Sequence, residues 1–289
     1  MSDQQIGNQL VAAATQQLTT AGVPDAARDA RKLFAYASGV EAGRLTLILA
    51  DPVSVKVAQR FYSLVARRSR FEPVSHLIGT RDFYGRQFEV TKDVLDPRPE
   101  TETLIEAALR DPFERVLDLG TGSGCILITL LAENPAAVGV GGDMSPAALV
   151  VALRNAQRHN VADRATFVQS DWMGAIKRSF DLIVANPPYI AADEMAGLSR
   201  DVREWEPRMA LTDEADGFSA YRTITAQAQQ VLTPAGRLMF EIGSTQGPAV
   251  AKLMMGAGFA SVFVIPDLDG RDRVVTGQMP VIGGETSAL

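Results

Sequence analysis

Four consecutive residues, Asn186-Pro187-Pro188-Tyr189, have the chemistry to hold a flat NH₂ group that belongs to another molecule. The apolar run before them, residues 181–185, reads as a buried strand that stops at the asparagine, and the two prolines forbid its continuation. The Asn186 side-chain oxygen and the Pro187 carbonyl form a fixed pair of acceptors, and Tyr189 can pack on the flat face of what they hold. A planar nitrogen, whether a carboxamide or an exocyclic amine on an aromatic ring, is a poor nucleophile because its lone pair is delocalised. Two acceptors that take both of its hydrogens aim that lone pair outward. They also stabilise the positive charge that develops as the nitrogen becomes tetrahedral. No strong base is needed, since the proton can leave after the new bond has formed.

An electrophile must stand opposite. The stretch "VLDLGTGSGCILITLL" is a buried strand, then Gly120, Thr121, Gly122, Ser123 and Gly124, then a helix. Glycines at the carboxyl end of a first strand let the backbone approach a ligand. Nicotinamide enzymes and S-adenosylmethionine (SAM) enzymes both use such a turn. Asp143, closing "VGVGGD", is the expected carboxylate for two ribose hydroxyls and fits either cofactor. Two features tilt the choice to SAM. Asp118 can face the cationic amino-acid end of SAM, whereas it would repel the phosphates of a dinucleotide. At the end of the third strand, Asp171 can accept from an adenine amino group, and Trp172 can pack beside the purine or belong to the core.

The elements that must position these groups alternate strand and helix from about residue 99 to 289. "RVLDLG", "VGVGGD", "ATFVQSD", "FDLIVAN", "GRLMFEIG", "SVFVIPD" and "RVVTGQ" are seven strand candidates. Repeated βα units imply an α/β fold, a doubly wound and mainly parallel seven-stranded Rossmann-like sheet covered on both faces. In that order the fourth strand lies beside the first, which brings Asn186 to the glycine turn. Residues 1–75 read instead as a small helical bundle. Ile6, Leu10, Ala14 and Leu18 recur every four residues, helix starts stand at Pro24-Asp25 and Asp51-Pro52, and Val57, Phe61, Leu64 and Val65 share a face. Residues 76–98 are expected to connect the two as a β-hairpin around Tyr84-Gly85, before "DPRPETETLIEAAL" opens a helix with Glu100 and Glu102 in its first turn.

Bulk properties narrow the class. With 289 residues, 46% hydrophobic and 21% charged, the chain is an ordinary globular protein of one or two domains. No apolar run approaches the roughly 20 residues that cross a bilayer. The start "MSDQQIGNQL" has no export signature. One cysteine, Cys125, and two histidines leave little for a metal site, so the expectation is a cytoplasmic protein without metal, nothing demanding more than a monomer. Net charge is −6, with +3 on residues 1–75 and −9 on the rest. That balance argues against gripping duplex DNA. Arg67, Arg68 and Arg70 are expected to lie on a solvated helix surface.

With these residues in view, the chain resembles the HemK family of protein N5-glutamine methyltransferases from about Arg67 to its end. The motifs that carry the likeness are "GTRDFYGRQFEV", "VLDPRPETE", "DLGTGSGCI", "SDW", "FDLIVANPPYI", "WEPRMAL", "DGFSAYR", "FEIGSTQG" and "DLDGRDRVV". "PRPETE" together with "NPPY" is far more specific than either the glycine loop or Asn-Pro-Pro alone. The resemblance implies a class I SAM-dependent methyltransferase that methylates the glutamine amide in the Gly-Gly-Gln motif of class 1 peptide chain release factors and so tunes translation termination. By similarity, SAM would contact residues 120–124, Asp143, Trp172 and Asn186. The glutamine would sit against Asn186, Pro187, Pro188 and Tyr189. Arg98, Glu100 and Thr101 would close over the pocket, and the helical front end would engage the release factor. Asp96 stands where the family commonly has an aliphatic residue, and Gly142-Asp143 where many members show Thr-Asp or Val-Asp.

Other readings meet specific obstacles. A relative that methylates a glutamine of a large-subunit ribosomal protein shares the NPPY logic and differs only in its docking surface. An adenine-N6 DNA methyltransferase would need a DNA-reading module and a basic cleft. A dinucleotide oxidoreductase leaves "NPPY" unexplained, and a non-catalytic binding protein has no use for rigid paired acceptors.

Overall fold

The structure, a computed structural model, describes residues 5–281. The first four residues of the opening decapeptide, and the part of the expected 99–289 domain beyond 281, lie outside the described residues. Two compact units emerge: one reaches Thr80 and also holds Leu198–Trp205, and the other holds Arg81–Gly197 and resumes at Glu206.

The first unit contains α1 (Gly7–Thr20), α2 (Ala26–Ser38), a 3-10 turn (Ala42–Ile48), α3 (Val55–Arg68) and α4 (Val74–Ile78). The four-residue recurrence in α1 puts Leu10, Ala14 and Leu18 in the core, where Phe34 and Phe61 meet edge to face at 5.2 Å. Each such large side chain, fully buried, contributes about 1.5–3 kcal/mol. The start of α3 lies at Ser54, whose hydroxyl accepts from the Val57 amide, and not at Asp51-Pro52. Arg68 also departs from expectation. It is buried against Asp29 at 2.7 Å and within 3.9 Å of Asp201, and it donates to the carbonyls of Phe71 and Glu72. One position further round the helix than the exposed Arg67, it points inward, and the carboxylates supply what water would have supplied. Residues 76–78, expected in the connector, are the last turn of α4.

A hairpin follows, β1 (Thr80–Phe83) and β2 (Arg86–Glu89). Tyr84 and Gly85 both have positive φ, the requirement of a tight two-residue turn between twisted strands. Then come α5 (Glu102–Ala108), β3 (Arg115–Leu119), α6 (Cys125–Glu133), β4 (Val138–Asp143), α7 (Pro146–Arg158), β5 (Ala165–Gln169) and β6 (Phe180–Ala185). The chain continues through α8 (Arg200–Trp205, in the helical unit), α9 (Ser219–Ala228), β7 (Leu232–Glu241), α10 (Gly247–Gly256), β8 (Ala260–Pro266) and β9 (Asp272–Gln278).

All seven expected strands form one sheet in the order β5-β4-β3-β6-β7-β9-β8, parallel except where β9 runs against β7 and β8. Side chains of β3 and β6 alternate between two cores. Val116, Leu182 and Val184 pack with α5 and α6, whereas Leu117, Leu119, Ile183 and Ala185 pack with α9 and α10. Cover on both faces is why these strands read as continuous apolar runs. The glycine-rich β4 has a packing cause: a Cβ on Gly139 would stand 2.4 Å from the Leu127 side chain. Strand order reverses between β3 and β6, which opens a crevice at their carboxyl ends.

Candidate active site

The crevice holds a cavity of about 490 Å³, within the usual range for small-molecule sites. At its floor the chain leaves β3 through Gly120, Gly122 and Gly124, with φ of 70°, 55° and 80°. Side chains rarely adopt that conformation, so the loop needs glycine there. The amides of Gly120 and Thr121 donate to the Gly142 carbonyl at the end of β4. Asp143 ties the loop from the other side, accepting from the Gly122 amide at 2.9 Å and the Ser145 amide at 2.8 Å. Residues 120–123 and Asp143 line the cavity, while Gly124 stands behind it, where a Cβ would clash with Ile128.

Asp118 does not line the cavity. It is fully buried, and its Oδ2 accepts from the Thr121 hydroxyl at 2.7 Å and the Leu127 amide at 3.3 Å. Burial pushes its carboxyl up to about 7, against the pull of those two bonds. Its visible work is to shape the loop. Trp172, held at φ 46° with the Ser170 hydroxyl donating to its carbonyl, lines the cavity and also packs on the core. Asp171 is exposed and off the wall; Ser170, not singled out in the sequence, lines the cavity in its place.

The neighbouring strand, β6, delivers Asn186 and Pro188 to the cavity wall. Asn186 Nδ2 donates to Thr101 Oγ1 at 3.4 Å, which turns Oδ1 away from that partner. Pro187 is buried, and among the described residues no amide outside the regular elements donates to its carbonyl. Tyr189 does not line this cavity. It packs on the core with its phenol pushed up to about 12 by burial, and its carbonyl accepts from Gln246 Nε2 at 3.0 Å. Gln246, inside "FEIGSTQG", also accepts from the Gly243 amide and so pins the proline segment to the start of α10. Gly217 completes the clamp, since a Cβ there would come within 2.3 Å of the Tyr189 carbonyl oxygen.

"PRPETE" divides. Arg98 and Thr101 reach the cavity, but Glu100 is exposed and does not. Arg98 is fixed by Glu206 of "WEPRMAL" at 2.5 Å. Asp96, the unusual residue before that motif, is buried with Arg81 of the hairpin at 3.6 Å, and Arg81 also donates to the Pro97 carbonyl. Two of the sequence motifs are thus bonded to each other.

Asp213 is a wall residue with no sequence signal of its own. Its carboxylate accepts from the amides of Ala215, Gly217 and Ser219, each at 2.9 Å. Burial opposes ionisation there, but these bonds outweigh it and hold the carboxyl at about 2. The depressed value means the bonds stabilise the fold above the ordinary carboxylate range and are lost as pH falls through about 2. Asp213→Ala should cost roughly 2 kcal/mol in urea unfolding at neutral pH, and the gap from wild type should close as the solution is acidified. An unchanged midpoint at neutral pH would contradict this account of the wall.

The cavity therefore combines a glycine floor, an aromatic edge and the carboxylates of Asp143 and Asp213, while the nearby Arg98 and Arg208 are engaged by Glu206 and Glu214. Such walls suit a cationic ligand with an aromatic ring and hydroxyls. Asn186 is on the same wall, its Nδ2 engaged by Thr101.

The chain is also similar to known proteins. Residues 9–79 match the family model described as PrmC N-terminal domain, and residues 91–199 match the Methyltransferase small domain. A protein of Cereibacter sphaeroides named release factor glutamine methyltransferase is 55% identical over 93% of this chain and 96% of its own. One of the same name from Caulobacter vibrioides is 42% identical over 92% and 93%. Among solved structures, the hMettl16 catalytic domain superposes with a TM-score of 0.56 at 17% identity, covering 76% of this chain and 82% of its own. A methyltransferase from Pyrococcus furiosus reaches 0.53 at 16% identity, over 69% and 91%. These two share the fold.

Proposed function

The chain belongs to the family of release factor glutamine methyltransferases, and from that premise we propose that it moves a methyl group from SAM to the side-chain amide nitrogen of the glutamine in the Gly-Gly-Gln motif of class 1 peptide chain release factors. The observation that carries the reading is Asn186. It stands at the switch point of the sheet, on the wall of a ligand-sized cavity, with its amide nitrogen engaged by Thr101 and its oxygen left to accept.

The residues present fit SAM. The loop 120–124 brings backbone close to the ligand, Asp143 can accept from ribose hydroxyls, Trp172 offers a face to the purine, and the acidic wall suits a sulfonium. SAM supplies a methyl group on positively charged sulfur, open to attack by a nitrogen lone pair. Asn186 Oδ1 and the Pro187 carbonyl take the two N–H hydrogens of the glutamine, which aims the lone pair across the crevice. Charge that builds on nitrogen is stabilised by the same two acceptors. Held in this way, the glutamine nitrogen would receive the methyl group that bound SAM supplies, and one amide proton would then leave to solvent. Pro188 and Arg98 border the acceptor, while Tyr189 and Gln246 hold the proline segment still. Holding the two reactants at contact provides much of the remaining acceleration. Asp171 and Glu100, both exposed, have no part in this scheme.

The helical unit, which contains the residues 9–79 that match the PrmC N-terminal domain, is the proposed docking element for the release factor. The acidic net charge supports a protein partner over a nucleic acid. No helix among the described residues is long and apolar enough to cross a membrane; a cytoplasmic monomer is part of the proposal. Incubation with labelled SAM and, separately, a release factor, ribosomal protein and DNA tests the substrate class. Label is expected on the release factor, and label only on ribosomal protein or DNA would overturn the reading.

A further inference from the structure

Arg98 places a guanidinium on the wall of the cavity in which the substrate amide is proposed to sit. Its main chain is held from both sides. Arg81 donates to the Pro97 carbonyl, and the Thr101 amide donates to the Arg98 carbonyl at 3.1 Å. Thr101 therefore stands one tight turn from Arg98, and its hydroxyl oxygen is the partner of Asn186 Nδ2. The Arg98 side chain is 33% exposed. A guanidinium is a planar fork that matches a carboxylate, so beside a pocket meant for a carboxamide it works against selectivity.

Glu206 answers that charge. Its Oε1 meets Arg98 Nη2 at 2.5 Å, and its side chain is only 3% exposed. Glu206 is not itself on the cavity wall, although residues 207–210, which follow it, are. We infer that Glu206 is a specificity-determining residue: by engaging the Arg98 guanidinium it keeps the pocket from binding a carboxylate, so that the side-chain amide is admitted and the acid refused. It does so by positioning Arg98, without touching substrate. The inference rests on the proposed function only for which amide is admitted.

The two charges of the pair offset each other. A carboxylate that entered would have to share the guanidinium with Glu206 and stand near a second negative charge, where like-charge repulsion is costly. A neutral carboxamide meets no such opposition. Removal of the Glu206 charge leaves Arg98 uncompensated, and a partly buried charge without its partner favours any counter-charge that can reach it. Other carboxylates of the wall have partners of their own. Asp96 faces Arg81 and Glu214 faces Arg208, while Asp143 and Asp213 accept from backbone amides. An acidic substrate would then be the better complement.

Glu206→Gln keeps the shape and removes the charge, Glu206→Asp keeps the charge, and Arg98→Met joined to Glu206→Gln removes both. Calorimetric titrations of the full chain, with S-adenosylhomocysteine present to prevent transfer, compare release factors carrying Gly-Gly-Gln and Gly-Gly-Glu. In Glu206→Gln the affinity for the Gly-Gly-Glu form should rise roughly tenfold or more, while that for the Gly-Gly-Gln form holds or falls. A general loosening of the site would weaken both. Glu206→Asp should keep the wild-type preference, and the double variant should lose the gain. Acetate, which carries the carboxylate without a protein partner, should bind Glu206→Gln more tightly than wild type or the double variant, read by NMR from broadening of its methyl signal. In a folded Glu206→Gln, an unchanged Glu-to-Gln affinity ratio or unchanged acetate binding would overturn the inference. If that variant does not fold, Arg98→Met makes the comparison from the other side. It should bind acetate and the Gly-Gly-Glu form no more tightly than wild type, and tighter binding of either would overturn the inference. Absence of transfer to any release factor by wild type would instead overturn the proposed function, and the acetate comparison would still decide this one.

Discussion

Asn186→Ala is expected to lower kcat by roughly a hundredfold or more, the usual loss when one hydrogen bond to developing charge is removed. The substitution removes an oxygen that meets the substrate nitrogen at the moment it turns positive, so the loss falls on the transition state. SAM affinity should change much less, because its proposed contacts lie mainly on residues 120–123, Asp143 and Trp172. The fold should also tolerate the change. Asn186 is only partly buried and makes a single long bond, 3.4 Å to Thr101, while the strand behind it is held by β3 and β7. Single-turnover rates with SAM titrated separately make the comparison. A folded variant with near-normal kcat would end the amide-orienting role.

Replacing the substrate glutamine by glutamate should cost more still, roughly ten-thousandfold in kcat/KM, because a site built around hydrogen-bond donors rejects an analogue that lacks them. The exchange swaps an NH₂ group for a carboxylate oxygen. Asn186 Oδ1 and the Pro187 carbonyl would then each face another acceptor with no proton between them. The carboxylates of Asp143 and Asp213, which line the same cavity, would add like-charge repulsion. Product formation from a Gly-Gly-Glu release factor within about a hundredfold of the natural substrate would show that selectivity does not reside in these acceptors.

Much of this was legible in the sequence for a physical reason. Strands covered on both faces must be apolar throughout, so "FDLIVAN" announces Phe180–Ala185 and the other strands announce themselves the same way. A backbone that turns with three positive φ values beside a ligand must use glycine, so the loop at 120–124 was equally plain. What stayed hidden depends on partners distant along the chain. Nothing near Arg68 says that Asp29 waits for it, and nothing near Tyr189 says that Gln246, 57 residues on, grips its carbonyl. Asp118 shows the same limit from another side. Its place before the glycines suggested a ligand contact, but whether a carboxylate points out to the cavity or back into its own loop is decided by Thr121 and Leu127. Asp171 and Ser170 are neighbours, and only the local twist of the chain decides which of them faces the cavity. The specific pair of motifs, "PRPETE" and "NPPY", proved to be joined by one bond, Asn186 to Thr101.

The most direct test locates the methyl group. A class 1 release factor would be incubated with the protein and isotopically labelled SAM, digested, and its peptides sequenced by mass spectrometry. The account predicts one labelled methyl on the side-chain amide of the Gly-Gly-Gln glutamine. A methyl on any other residue, or a release factor left unlabelled by an enzyme that binds SAM, would contradict it.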